Sequence, residues 1–146
     1  MHDIITYLTK RRIIAVFAVI VIAVISIALS WNFHIGRVTY FDGKYNLVFT
    51  YSLIVYKIIE LLFLSYFLFY RHKRYLKTNE PSIEFLTTLK KHVKLLLFLI
   101  PQGNTVFGVI AYKLGGEVFY FLIFSFIALL TLFIINPISL KVTSKA

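Results

Sequence analysis

The fold turns on Leu95-Leu96-Leu97-Phe98-Leu99-Ile100-Pro101-Gln102-Gly103-Asn104-Thr105-Val106-Phe107-Gly108-Val109-Ile110-Ala111-Tyr112. No residue in it is charged. At a helical rise of about 1.5 Å per residue it covers about 27 Å, against a bilayer hydrocarbon core of about 30 Å. Pro101 has no N–H to give to the Leu97 carbonyl. Gln102 and Asn104 add side-chain amides that need partners wherever water is excluded. The sequence therefore predicts a membrane span broken at Pro101. A rival topology makes the stretch a re-entrant hairpin that turns at Pro101-Gln102-Gly103-Asn104 and sends the C-terminus to the other side.

Three further apolar blocks flank it. Ile13 to Ser30 has no charge and ends at Trp31, a residue favoured at the membrane interface. It exceeds the apolar region of about 7–15 residues usual in a signal peptide, so an uncleaved span over about 13–32 is expected. A second block, about 46–70, is rich in aromatics and ends in Tyr66, Phe67, Phe69 and Tyr70. The last, about 118–136, is stopped by Asn136-Pro137. Between the first two blocks, Asp42-Gly43 signals a turn, and Val38 to Phe41 offers a short hairpin arm. Lys113-Leu114-Gly115-Gly116-Glu117 reads as a tight turn. Thr78-Asn79-Glu80-Pro81 reads as a helix start, with Asn79 as cap and Pro81 in the first turn. The helical spacing of Leu86, Leu89 and Val93 then predicts a short interfacial helix over about 80–94.

The expected fold is all-α. It is an integral membrane bundle of four transmembrane helices with spans at about 13–32, 46–70, 95–112 and 118–136. A short cytoplasmic interfacial helix completes a single domain, 1–146. Composition agrees: 60% of residues are hydrophobic, where a soluble domain has about 45–50%. With no cysteine in the chain, disulfides, iron–sulfur clusters and thiol catalysis are excluded. The net charge of +10 concentrates at the ends of the apolar blocks. Arg71, Lys73, Arg74, Lys77, Lys90, Lys91 and Lys94 form the main basic region, read as a loop facing anionic lipid headgroups or a partner. With both termini cytoplasmic, these seven join Lys10, Arg11, Arg12, Lys141 and Lys145 inside, and only Arg37, Lys44 and Lys113 lie outside, a strong positive-inside bias. Anionic lipid explains the charge better than nucleic acid does.

Lys57 and Glu60 are the sharpest chemical signal. Three residues apart, they share a helix face and can pair. Each charge costs roughly 2.5–3.5 kcal/mol at the centre of a membrane helix, so both need a partner. With Pro101, Gln102 and Asn104 at a similar depth, they suggest one polar intramembrane cluster between the second and third spans. The structural alternative for Lys57–Glu60 is an ion pair that fixes helix docking; for Pro101 it is a plain kink. None of His2, His34, His72 and His92 falls inside a span, so haem and metal lack ligands, and His72 and His92 are expected as solvated residues of the basic region. No Ser–His–acid set or phosphate-binding glycine loop is present, and neither enzyme activity nor a cofactor is expected. The rotor-ring proteolipids of rotary ATPases share the count of four spans and a mid-membrane Glu. They differ in packing through abundant small residues, whereas this chain has six glycines, bulky aromatics throughout and no internal repeat.

Three functions fit these features. The first is a small non-catalytic subunit that packs within a larger membrane complex. The second is an oligomeric channel or ion- or proton-coupled transporter, with a path at Lys57, Glu60, Gln102 and Asn104. The third is a membrane immunity or regulatory protein that binds through the loop from His34 to Tyr45.

Overall fold

A computed structural model describes residues 2–32 and 43–140. All regular structure among them is helical: α1 (His2–Asn32), α2 (Gly43–Ser65), a single π turn (Tyr66–Tyr70), α3 (Arg71–Thr78), α4 (Ile83–Gly115) and α5 (Val118–Ile134). α1, the continuous run α2–π turn–α3, and α4 are long and apolar enough to cross a membrane. α5, at 17 residues, is apolar but shorter, about 26 Å. The expected hairpin arm at Val38 to Phe41 lies outside the described residues.

The polarity is that of a membrane bundle. Outer faces carry large apolar side chains such as Phe17, Val24, Phe49, Leu62 and Phe133. The buried stripe of α2 is mostly polar: Asn46, Thr50, Lys57 and Ser65, with Leu61 the apolar member. α5 is the inner helix. It buries Tyr120, Phe121, Phe124, Ser125, Ala128 and Leu132, and packs on α4 and α1 and more lightly on α2. Gly108 permits a close approach, since a Cβ there would lie 2.8 Å from the Phe121 ring.

Two expectations about the third span are corrected. The interfacial helix over 80–94 is not a separate element. It is the first part of α4, which runs 33 residues without interruption. Nor does Pro101 break the helix: α4 passes through it, which also removes the re-entrant hairpin. Proline forfeits one backbone bond, yet the helix continues, with Ile100, Pro101 and Asn104 all buried. The helix start moves as well. Ser82 is the N-cap, its hydroxyl accepting from Phe85 N–H at 3.2 Å, while Asn79 terminates α3. At the other end Gly116 takes a left-handed conformation (φ 80°) and its N–H closes onto the Tyr112 carbonyl. A Cβ on Gly115 would collide with the Tyr120 ring.

The basic region is therefore a helical hairpin, α3 and the first part of α4 joined by residues 79–82. Tyr75 stacks on Phe85 across it, with ring centroids 4.4 Å apart. Arg71, Arg74, Lys77, Lys90, Lys91 and Lys94 are exposed, and Lys73 is half-buried. The N-terminal turns of α1 join this end through buried Ile5 and Leu8, in one cluster with Leu76, Leu89 and Val93.

Candidate functional site

The π turn keeps the long second helix aimed. An α-helix advances about 100° per residue, so a straight stripe drifts around it. One widened turn at Tyr66–Tyr70, closed by Arg71 N–H to the Tyr66 carbonyl, sets back the following residues by about one position. Phe69, His72 and Leu76 thus remain on the buried side that Lys57, Leu61 and Ser65 began.

At the centre of that stripe, Lys57 Nζ donates to Glu60 Oε2 at 2.9 Å. The Lys57 side chain is only 3% exposed, that of Glu60 29%. Gly103 of α4 makes room for the ammonium: a Cβ there would sit 2.6 Å from Lys57 Nζ. The ammonium also lies 4.9 Å from the centroid of the Phe107 ring, whose negative face attracts a cation. The pair is thus a clasp between α2 and α4, with its carboxylate end turned outward.

The polar residues of the third span do not all join it. Asn104 is buried on the same side of α4 as Gly108 and Ala111; its Nδ2 donates to the Ile100 carbonyl at 2.7 Å, and Oδ1 has no partner among the described residues. Pro101 and Gln102 face another direction and line a groove between α4 and α1. That groove takes Gln102 but not Lys57, Glu60 or Asn104. At the start of α2, Asn46 is fully buried, and neither polar atom of its side chain has a hydrogen-bond partner among the described residues; it lies one helical turn from buried Thr50.

At the basic end the histidines are paired, not solvated. His92 Nδ1 lies 3.2 Å from His72 Nε2, one ring donating to the other. His72 is only 9% exposed. Burial, then the neighbouring His92 and Arg71, hold its pKa below the usual histidine value, against the pull of the Phe67 carbonyl. The pair borders a cavity of about 640 Å³ that Arg71, Arg74, Tyr75 and Phe85 also line.

One further site ties the ends of the bundle. Arg12 donates through Nε to the Leu132 carbonyl at 2.6 Å, and through its terminal nitrogens to Asn136 Oδ1 and the Phe133 carbonyl. The Leu132 and Phe133 carbonyls belong to the last turn of α5, where a cation is favoured. Arg12 falls in the seam of α1 at a spacing of three and four residues with Ile5, Leu8, Ala15 and Val19, a pattern visible in sequence. Its target was not visible.

These features define an all-helical protein with three membrane-length apolar helices and an internal Lys–Glu clasp. Comparison with known proteins finds no match: no protein-family model, curated protein or solved structure corresponds to the chain. Among the described residues, no group of three or more His, Asp or Glu side chains could hold a metal ion.

Proposed function

We propose that the chain is a small non-catalytic subunit of a larger membrane complex, and that the outer face of α2 is its docking surface. The observation that carries this is the half-open Glu60 carboxylate, near the centre of the apolar run on a face otherwise covered with large apolar side chains. Tyr56, one turn away, is exposed on the same helix. Lipid tails cannot hydrogen-bond a carboxylate or a phenol, so a neighbouring protein helix is the natural cover. In this reading all four apolar helices sit in the bilayer, with the basic hairpin and both termini on the cytoplasmic side.

The test is extraction from native membranes in mild detergent, followed by native mass measurement. The expected species contains other membrane proteins in fixed ratio. A photoreactive residue at Tyr56 should cross-link to one of them. A chain that runs alone, or only with copies of itself, refutes the proposal. A conduit would then be the second reading, built between copies at Glu60, whose side chain is 29% exposed.

A further inference from the structure

The groove between α1 and α4 has an apolar wall and a cationic mouth. It encloses about 800 Å³, within the range of cavities that hold a whole small molecule. Arg11, Lys91 and Lys94 stand at one end, and Thr105 and Val106 at the other. From Lys94 to Thr105 the helix rises about 16 Å, close to half the bilayer core of about 30 Å. The depth of the groove therefore matches one leaflet, with its cations at headgroup level.

We propose that this groove is a binding site for one anionic phospholipid, its phosphate held by Arg11, Lys91 and Lys94 and an acyl chain lying along α1 and α4. Ala15 and Ala18 keep α1 thin where the chain would pass, and Phe98 forms the facing wall. Arg11 is pre-positioned: its Nε donates to Tyr7 Oη at 3.2 Å, and Lys90 covers the same ring at 4.8 Å. Among the described residues no carboxylate pairs with Arg11, Lys91 or Lys94, and none lines the groove. Three cations gathered with no internal counter-ion favour an anion. The apolar length beyond them selects a lipid over a free phosphate, and a second helix is left as an outcome of the test. The site lies on a different face from the α2 docking surface and does not depend on it.

The test places a photoreactive p-benzoylphenylalanine at Phe98 in the full chain. The protein is reconstituted in bilayers of equal phosphatidylglycerol and phosphatidylcholine, and adducts are identified by mass. The expected result is phosphatidylglycerol adducts in at least tenfold excess. Replacing the cations together (Arg11→Gln, Lys91→Gln, Lys94→Gln) should bring the ratio near one. Ala18→Phe, which fills the channel and leaves the cations, should do the same. Equal labelling in the parent chain overturns the proposal. So does a preference that survives either variant, the latter because it would be surface attraction only. A protein adduct as the main product also overturns it.

Discussion

Lys57 illustrates how one charged residue is accommodated inside the bundle. Its ammonium is matched by Glu60, roofed by Phe107 and given space by Gly103. Removing the carboxylate strands a buried cation, so Glu60→Gln should lower the stability of the isolated chain by about 3 kcal/mol. Lys57→Met combined with Glu60→Gln should recover most of that, because an apolar side chain suits the same space. Reversible unfolding in detergent micelles, run as a double-mutant cycle that includes Lys57→Met alone, measures both; a double-variant loss equal to the sum of the two single losses would show no coupling. Gly103→Leu attacks the clasp from the other side. It forces the ammonium to move and should cost about 1–3 kcal/mol, as overpacking does, in the same assay. The pairing of Lys57 with Glu60 was legible from their spacing. The role of Gly103 was not, because a glycine in a membrane helix is consistent with any close approach.

At the level of elements, α5 is held at its end by α1, and α3 by α4. Arg12→Gln removes a cation from the α5 C-terminus and should cost about 1 kcal/mol. Faster amide exchange confined to the last turn of α5 would be the signature, and unchanged exchange there would exclude the cap. The α3–α4 contact carries a pH dependence. The pKa of His72 is lowered in the fold, so the unfolded chain binds more protons in the interval below the ordinary value of about 6.5. Stability there rises with pH, and it falls as pH drops from about 6.5 toward the lowered value. The protection factors of α3 amides, which correct exchange for its own pH dependence, should fall as pH drops over that interval in the parent chain and stay flat in His72→Phe. Neither contact was readable in advance. Histidines twenty positions apart meet only because residues 79–82 fold α3 back on α4, and basic residues at a span end usually signify topology alone. The broken third span failed for a related reason: the lost proline bond is a local cost, whereas burial of Ile100, Pro101 and Asn104 is tertiary.

For the whole molecule, the basic residues gather at the end where α1 starts, α3 and α4 form their hairpin and α5 finishes. If all four apolar helices cross the bilayer, position 143 shares the cytoplasmic side with the N-terminus. The chain has no native cysteine, so Thr143→Cys can be labelled without background. It should react with a membrane-impermeant thiol reagent only after cells are opened. Labelling of intact cells would mean that α5, the shortest of the apolar helices, does not span with this orientation.

The sequence by itself determined the helical class, the four apolar segments and the Lys57–Glu60 pair. Hydropathy and i, i+3 spacing are local quantities, and each can be read along the chain. It also carried an unread signal: Asn46, Thr50, Lys57 and Ser65 recur at helical spacing and are the buried polar stripe of α2. Only the tertiary structure decided which polar groups meet. Gln102 and Asn104, two residues apart, point to different neighbours because successive positions on a helix are separated by about 100°. Lys57 finds a glycine, Arg12 the end of α5, and Arg11 with Lys91 and Lys94 one mouth of one groove. Such partners lie on separate helices, and their meeting depends on how those helices pack.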